Sequence, residues 1–440
     1  MNNSTHTLER DPSNSPVESI AIIGTGVAGM GCGHALWEKY NITMFELNDY
    51  VGGHTHTVTV EEEGTTVPID TGFMVYNEVT YPNLTRLFRD LNVPTVETTM
   101  SFSVQHLPSH LEFCGSSFSG LFAQRKNLLS PEFYRFLRNI SRFNKEAPQI
   151  LDDPRYADYS LDQYVREKGY GANFLHRYLV PMSSAVWSTP PDKMLQFPAT
   201  TLVRFFKNHG FLGLNTQHQW RTVVGGSKTY RDLLIAPFRD RIRVGTPAVR
   251  VWRQGDRVIV QPSKGLATAY DKVIFACHAD EALKLLADPT AQERALLSKF
   301  KYQRNRVTLH TDAAVMPKTH RAWSSWNYRV DESGTPSIIY WMNSLQRVSK
   351  KKDYFVSVND AGAVRDELIL KDFVATHPLF DRAAIGAQDE LPTLNDNTRT
   401  YFCGSYFRYG FHEDAFTSSL DVCRKLRMLS TVPSKKDTAA

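Results

Sequence analysis

Three glycines near the start of the chain have the spacing and the neighbours of a phosphate-binding turn. The motif Gly24-Thr25-Gly26-Val27-Ala28-Gly29 directly follows a short apolar run, Ser19 to Ile23. In such a motif the first glycine permits a sharp turn and the second lets a pyrophosphate approach the backbone. The third lets the following helix pack closely on the strand. The spacing therefore predicts a dinucleotide site on a strand-turn-helix unit.

The elements around this motif are those needed to position a nucleotide. A helical stretch begins at Val27 and Ala28 and is predicted to reach about Tyr40, and a second strand is predicted from Ile42 to Leu47. The helix N-terminus offers free N–H groups and a partial positive charge to the phosphates. Glu46, twenty residues after Gly26, can accept hydrogen bonds from ribose hydroxyls. We therefore predict cofactor contacts at Gly24, Gly26, Val27, Ala28, Gly29 and Glu46.

A second glycine pair, Gly52 and Gly53, is followed by His54. Together with the first motif, this pair resembles the second glycine signature of the flavin-containing amine oxidase and phytoene desaturase-like superfamily. In that superfamily the pair lies beside the FAD diphosphate. An arginine commonly follows the pair in that superfamily; neutral His54 can still donate a hydrogen bond. His54 and His56 lack a third nearby ligand, so no metal site is predicted.

The resemblance runs from about residue 19 to residue 428 and implies further contacts with FAD. The last marker is Phe411-His412 at the start of the final helix, which would place both residues beside the isoalloxazine. A helix N-terminus there stabilises an anionic reduced flavin. Neither Cys403 nor His412 has a context that demands attachment, so non-covalent FAD is expected. The remaining implied contacts are Gly225, Gly226, Val249, Ala276 and Gly404.

The fold implied by the resemblance is α/β (α+β, two-domain), with a Rossmann-like FAD-binding domain and a discontinuous mixed substrate-binding domain. The FAD-binding domain is assigned to residues 17–75, 212–300 and 396–430. The substrate-binding domain is assigned to 76–211 and 301–395, with a mostly helical part from about Pro131 to Phe206. The tails, 1–16 and 431–440, are expected to be disordered.

Several short motifs look closest to one bacterial branch of NAD/FAD-binding, amine-oxidase-like proteins. They are Gly-Gly-His-Thr-His-Thr from Gly52, Tyr340-Trp341-Met342-Asn343 with Gln346, and Gly-Phe-His-Glu-Asp from Gly410. Members of this branch often accompany methyltransferases similar to cyclopropane fatty acid synthase. The resemblance therefore implies a lipid-modifying methyltransferase as a partner.

The motifs leave more than one substrate class open. Amine oxidases of the superfamily have a tyrosine where this chain has Phe411, and a lysine near flavin N5, which the stretch Arg304 to His310 lacks. The favoured hypothesis is a desaturase or dehydrogenase acting on a fatty-acyl or other lipid chain by hydride transfer to N5. The alternatives are an amine or small-molecule oxidase, and a non-catalytic flavoprotein partner of a lipid methyltransferase.

Two aromatic-rich segments, Phe205 to Phe211 and Trp323 to Tyr328, could line an apolar tunnel for such a chain. Proton removal needs a base or a positioned water. The polar residues considered as catalytic candidates are His310, Asn343, Gln346 and His412.

Composition excludes several other classes of protein. A net charge of +5 over 440 residues is too dispersed for a nucleic-acid-binding protein. Five scattered cysteines favour a reducing compartment, and no apolar run is long enough to span a bilayer. The N-terminal stretch is polar, unlike a signal peptide, so a cytoplasmic location is expected. The basic cluster Arg347 to Lys352 could face a membrane surface or an anionic substrate, although such runs are commonly solvated loops.

Overall fold

The protein is described by a computed structural model over residues 17–213 and 216–430, so the predicted disordered tails lie outside the described residues. The strands are, in chain order, β1 (Ser19–Ile23), β2 (Asn41–Phe45), β3 (Thr57–Glu62), β4 (Thr65–Asp70), β5 (Tyr76–Asn77), β6 (Thr95–Thr98), β7 (Phe102–His106), β8 (Leu111–Cys114), β9 (Trp220–Val223), β10 (Ile242–Arg243), β11 (Ala248–Gln254), β12 (Arg257–Pro262), β13 (Thr268–Tyr270), β14 (Lys272–Phe275), β15 (Lys301–His310), β16 (Trp326–Val330), β17 (Pro336–Trp341), β18 (Phe355–Val358), β19 (Ile369–Leu379) and β20 (Thr400–Phe402).

The helices alternate with these strands in the first and last thirds of the chain and dominate the region between β8 and β9. They are α1 (Val27–Leu36), α2 (Pro82–Asp90), α3 (Phe118–Leu121), α4 (Pro131–Glu146), α5 (Leu161–Lys168), α6 (Ala172–Phe174), α7 (Val180–Trp187), α8 (Pro191–Leu195), α9 (Ala199–Asn208), α10 (Lys228–Ile235), α11 (Ala279–Leu285), α12 (Ala291–Leu297), α13 (Met342–Leu345), α14 (Arg382–Ala387) and α15 (His412–Ser430).

A five-stranded parallel sheet forms the centre of the nucleotide-binding part, in the order β10-β2-β1-β14-β20. Side chains alternate between the two faces of β1. Ile20 and Ile22 pack with Met30 of α1 and Phe416 of α15, whereas Ile23 packs on the other face with Val251 of β11. The sheet is therefore buried on both sides, as the continuous apolar run of β1 predicts. The predicted Rossmann-like α/β fold is confirmed.

A seven-stranded mixed sheet, in the order β19-β15-β18-β17-β16-β7-β8, faces the first sheet across the cavity described below. Strands β16 and β7 are parallel, and the other neighbours are antiparallel. Its strands all come from the segments assigned to the substrate-binding domain, and those of the parallel sheet come from the FAD-binding segments. The domain boundaries themselves remain a prediction.

The region from α4 to α9 is mostly helical, as predicted, and carries aromatic side chains into the main core. One continuous helical stretch joins α6 to α7 through a π-helical turn, Leu175–Leu179. Pro181 lies just after this turn, and because proline has no backbone N–H it cannot donate the usual helical hydrogen bond to the carbonyl oxygen four residues earlier. No helix within the described ranges is long and apolar enough to cross a membrane.

Candidate functional site

A cavity of about 930 Å³ lies at the carboxyl ends of β1, β2 and β14 and beneath β19 of the seven-stranded sheet. Its nucleotide end is formed by the turn after β1, by Glu46, Val249 and Glu281. Its aromatic end is formed by rings from α7, α9 and β16, including Trp187, Phe205 and Trp326. Ligands of parallel α/β sheets bind at this edge of the sheet, so the cavity is the candidate active site.

The three motif glycines have different surroundings, so the absence of a side chain has a different explanation at each position. A Cβ atom on Gly29 would lie 2.0 Å from the carbonyl oxygen of Gly24, so α1 packs against the turn as predicted. Gly24 has a φ of +98°, and its Cβ would lie 2.7 Å from the carbonyl oxygen of Ala276. A Cβ on Gly26 would meet nothing within 4 Å, because Gly26 faces the cavity at the N-terminus of α1. This open cradle above a helix N-terminus fits a diphosphate.

Glu46 lies at the end of β2 with its carboxylate turned into the nucleotide end, and only 5% of the residue is exposed. One carboxylate oxygen accepts hydrogen bonds from the Thr25 amide at 3.0 Å and the Thr25 hydroxyl at 2.5 Å. The other accepts from the Asn48 amide at 2.8 Å and the Asn48 side chain at 2.9 Å. The carboxylate is therefore held rigidly in the position predicted for a ribose contact.

The second glycine pair lies against the first motif. A Cβ on Gly53 would be 3.2 Å from the Cα of Gly26, so the two backbones meet at the floor of the cavity. Gly52 has a φ of +128°, and its Cβ would lie 2.6 Å from the carbonyl oxygen of Thr55. Gly53 and His54 line the cavity, whereas Gly52 shapes the turn that presents them.

His54 occupies the position at which an arginine is common in the resembling superfamily. Its ring lies 5.0 Å from that of His377, and its buried Nε2 has no hydrogen-bond partner. Burial and the nearby His278 lower the pKa of His54 to about 4. His54 is thus a neutral polar group at the floor of the site, and a bound cofactor can satisfy its unpartnered nitrogen.

Histidines from five separate segments surround this cavity, and burial is the largest cause lowering the pKa of each. The pKa falls to about 4 for His54, His209 and His278, to about 3 for His377 and His412, and below its ordinary value for His56. All six are therefore neutral at pH 7. Within residues 17–213 and 216–430, no group of histidine, cysteine or acidic side chains is arranged to hold a metal ion.

Phe411 and His412 lie at the start of α15, between the nucleotide end and the aromatic end. The ring of His412 stacks on Phe73 at 3.9 Å. Its Nε2 lies 2.5 Å from the hydroxyl of Tyr230, which in turn is 2.5 Å from the Thr55 hydroxyl. Both residues thus line the cavity, and the His412 ring is fixed by stacking and by a hydrogen-bonded chain.

The aromatic end is built mainly by α7 and α9. The ring of Phe411 stacks on Phe205 at 5.0 Å, with 17° between the planes, and lies 6.3 Å from Trp187. The ring of His209 also stacks on Phe205, with the two ring centroids 3.8 Å apart. Its Nδ1 donates to the carbonyl oxygen of Phe205 at 3.0 Å, which leaves Nε2 unprotonated in the neutral ring. Of the predicted tunnel segments, Phe205, His209, Phe211 and Trp326 line the cavity, although nothing in the sequence distinguished His209 as a polar group of the site.

The other predicted cofactor contacts divide into two groups. Val249, Ala276 and Gly404 line the cavity. Gly225 and Gly226 do not; both have a positive φ and form the turn before α10, beneath the site. A Cβ on Gly226 would lie 2.6 Å from Thr57, so this glycine is required by the hairpin β3-β4 rather than by an opening to the cavity.

Three of the four catalytic candidates lie outside the cavity, which corrects their predicted role. His310 is fully buried at the end of β15, and its nitrogens bond to the Ser357 hydroxyl and the Asp312 amide. Asn343 holds the loop before β18 through the carbonyls of Ser349 and Lys352. Only His412 lies in the cavity.

Gln346 has the same kind of structural role. Its amide donates to the carboxylate of Asp70 at 2.5 Å, and its carbonyl accepts from the Asp70 backbone amide at 2.9 Å. Asp70 also accepts from the amide and hydroxyl of Ser227, so the network ties the hairpin to the start of α10. Sequence reasoning instead missed His209, His278 and His377, which line the cavity.

The residues present at the nucleotide end fit FAD. The open Gly26 cradle, the fixed Glu46 carboxylate and the unpartnered His54 nitrogen lie along one cavity that continues to Phe411 and His412. Such an arrangement can hold a diphosphate and a ribose at one end and present a flavin ring to an apolar chamber at the other.

Comparison with known proteins agrees with this geometry. The family model of the flavin-containing amine oxidoreductases matches residues 27–341, more than two thirds of the chain. Cyclohexylamine oxidase from Brevibacterium oxydans has a similar structure, with a TM-score of 0.67, 14% identity, and coverage of 94% of this chain and 100% of that one. No curated protein matches the sequence significantly.

Two further solved structures share the fold. Wild-type putrescine oxidase bound to putrescine gives a TM-score of 0.64 at 13% identity, covering 94% of this chain and 99% of that one. A CLA-producing fatty acid isomerase from P. acnes gives 0.66 at 14% identity, covering 95% and 100%. The predicted cofactor and enzyme class are confirmed. The chain belongs to the flavin-containing amine oxidoreductase family and is an FAD-dependent oxidoreductase.

Proposed function

We propose that this FAD-dependent oxidoreductase dehydrogenates a carbon–carbon bond of a fatty-acyl or other apolar lipid chain. The supporting observation is the lack of acidic groups at the aromatic end. Among the described residues that line the cavity, the only carboxylates are Glu46 and Glu281, and both lie at the nucleotide end. A protonated amine at the aromatic end would find no acidic partner there, whereas an apolar chain would be buried against aromatic rings.

The aromatic end also offers a group that can take up the proton. When bound, FAD supplies the hydride acceptor, N5. His209 lines the aromatic end, and its unprotonated Nε2 is available because Nδ1 donates to the Phe205 carbonyl. Burial lowers the pKa of His209 to about 4, so this nitrogen stays unprotonated at pH 7. In the proposed reaction one C–H bond yields a hydride, the neighbouring C–H bond yields a proton to His209, and a C=C bond forms.

Amine oxidation is the second candidate, and one feature of the cavity favours it. Aromatic rings such as Trp187, Phe211 and Phe411 line the cavity, and an ammonium group can bind to such a ring by a cation–π contact. The methyltransferase partner and the bacterial branch implied by the sequence remain predictions without a matching feature in the described structure.

Anaerobic reduction of the bound flavin distinguishes these functions. We expect a fatty acid or a phospholipid to bleach the flavin absorption band, and a mass spectrum of the product to show the loss of two hydrogens. Putrescine and cyclohexylamine should leave the band unchanged. Bleaching by amines alone would overturn the proposal. A flavin that neither lipids nor amines reduce, in a protein that stimulates a lipid methyltransferase, would instead support the non-catalytic role.

The role of His209 has a matched control in the same region. His209→Gln removes the proton acceptor and should slow lipid-dependent flavin reduction by at least about a hundredfold. His218→Gln changes a half-buried histidine that bonds to the Asn208 carbonyl and does not line the cavity, so the flavin of this variant should be reduced at the wild-type rate. Equal rates for both variants would remove His209 from the proposal while leaving the substrate class open to the lipid assay.

A further inference from the structure

Large apolar side chains are exposed together on one short segment. Leu129 is 89% exposed, Phe118 70%, Tyr134 49% and Leu128 37%. Within residues 17–213 and 216–430, Phe118 and Tyr134 are the only aromatic residues among the exposed large hydrophobic side chains. An exposed apolar cluster on a folded protein commonly marks an interaction surface.

These side chains form one continuous surface around α3 and the start of α4. The ring of Phe118 lies 4.9 Å from Phe122, and Phe122 lies 5.9 Å from Tyr134. The Tyr134 hydroxyl donates to the carbonyl oxygen of Leu128 at 3.1 Å. Leu129 follows directly in the chain. We call the surface formed by residues 118–138 the α3–α4 surface.

The exposed residues are not needed to complete the core beneath them. Phe122, Phe133 and Phe136 are 5% exposed or less and pack together with Phe113. The buried and exposed positions alternate as expected for amphipathic elements, so the inner face of α4 already has its partners. The outer apolar face therefore lacks a partner within the described chain.

The charge of the α3–α4 surface is positive. Residues 118–138 contain four basic side chains, Arg125, Lys126, Arg135 and Arg138, and one acidic side chain, Glu132. Glu132 already accepts hydrogen bonds from Arg177 and Asn173. Apolar side chains among basic residues match the surface of an anionic bilayer, which attracts basic groups and accepts apolar ones.

The surface is also connected to the active-site cavity through packed side chains. Phe102 packs against the aromatic cluster beneath the surface, and its ring lies 5.8 Å from that of Trp326. Trp326 lines the aromatic end of the cavity. A bilayer at this surface would therefore lie on the side of the molecule that leads to the proposed lipid site.

We propose that the α3–α4 surface docks onto an anionic phospholipid bilayer. This location differs from the basic cluster Arg347 to Lys352, where Ser349 binds Glu62 and Lys351 pairs with Glu63 in the folded protein. The inference goes beyond the proposed function, because binding to a bilayer can be measured without turnover and does not depend on the substrate.

Co-sedimentation of the FAD-loaded protein with vesicles tests the proposal. We expect binding to vesicles of phosphatidylcholine with phosphatidylglycerol and weaker binding to phosphatidylcholine alone. The double variant F118S/L129S should bind at least about tenfold more weakly. Leu266→Ser is the matched control, because Leu266 is 88% exposed in the loop between β12 and β13, and it should bind as the wild type does.

The charge contribution has its own pair of variants. Lys126→Glu should lower binding to the anionic vesicles by roughly fivefold or more, while Lys264→Glu, in the β12–β13 loop, should not. The flavin spectrum of each variant reports whether it folds and holds its cofactor. Wild-type protein that stays in the supernatant, or F118S/L129S that sediments like L266S, would overturn the proposal. A change in oligomeric state without a change in vesicle binding would show instead that a second copy of the chain covers this surface.

Discussion

Replacing Gly29 and Gly26 with alanine should separate the two roles that the first motif combines. Gly29 has ordinary helical backbone angles, so an alanine there meets only a steric conflict. Its Cβ would lie 2.0 Å from the Gly24 carbonyl oxygen and 3.4 Å from the Cβ of Ala276. Since non-bonded heavy atoms normally stay more than about 3 Å apart, α1 must move away from the turn by about 1 Å. We expect Gly29→Ala to lower the free energy of unfolding by about 3 kcal/mol.

Gly26→Ala is the contrasting change in the same turn. Gly26 has φ −59° and ψ 177°, which alanine adopts readily, and the added Cβ meets no protein atom within 4 Å. The cost to the apoprotein should stay below about 1 kcal/mol, the usual cost of alanine at a helix N-cap. The methyl group would nevertheless project into the cradle proposed for the diphosphate. FAD affinity should fall at least about tenfold, or about 1.4 kcal/mol.

Two measurements decide between these outcomes. Urea denaturation of the two apoproteins gives their free energies of unfolding, and a titration followed by flavin absorbance or fluorescence gives FAD affinity. Gly29→Ala should lose both stability and affinity, and Gly26→Ala only affinity. If Gly26→Ala binds FAD as tightly as the wild type, the diphosphate does not lie over Gly26. If Gly29→Ala is as stable as the wild type, the packing argument for α1 is wrong.

Three further predictions concern groups around the same cavity. Glu46→Gln places an amide donor against the hydrogen-bond donors of Thr25 or Asn48. FAD retention on gel filtration should therefore fall clearly below that of the wild type. Unchanged retention would count against the ribose contact. Glu413 accepts hydrogen bonds from the backbone amides of Asn83 and Leu84 and so joins α15 to α2. Glu413→Gln should lower the free energy of unfolding, measured by urea denaturation, by about 2 kcal/mol. An unchanged free energy of unfolding would refute this role. Five of the cavity histidines, all except His56, have folded pKa values of about 3 to 4 against an ordinary 6.5, so unfolding takes up protons and stability should fall as the pH drops from 6.5 towards 4. His377→Asn should flatten this dependence of the urea midpoint, and an unchanged slope would contradict it.

The parts of the fold that the sequence predicts well are those with local signatures. The strand β1, the glycine turn and α1 follow each other within twenty residues, and Gly29 is required by the carbonyl oxygen of Gly24 in the same turn. The hairpin β3-β4 has alternating residues on both sides of Gly64. The motif at the start of α15 predicted the positions of Phe411 and His412. Such signals depend on short-range geometry and can be recognised in one chain.

The residues that sequence reasoning missed reach the cavity through long-range packing. His209 directly follows α9, His278 precedes α11 and His377 lies on β19, which pairs with β15. A lone histidine has no spacing that distinguishes a cavity position from a surface position. The partners that bury these rings come from distant segments, and burial is what makes them neutral.

The catalytic candidates that lie outside the cavity show the opposite error, and strand β15 illustrates its cause. Arg304 and His310 both lie on β15, six residues apart, yet only Arg304 lines the cavity. Six residues of a strand span about 20 Å, so the two ends of β15 have different surroundings. A polar residue at a strand end looks the same in the sequence whether it faces a ligand or, like His310, bonds to a neighbouring strand.

The charge of the cavity follows from these placements. No arginine follows the second glycine pair, and the histidine there is neutral because it is buried beside another histidine. Among the described lining residues, the only cationic side chains are Lys284 and Arg304, and Lys284 is paired with Asp280. The negative charge of an FAD diphosphate must therefore be balanced mainly by the N-terminus of α1, whose first turn contains no acidic residue. In such a site the diphosphate must lie close to the N-terminus of α1, and the absence of a side chain on Gly26 leaves that space free.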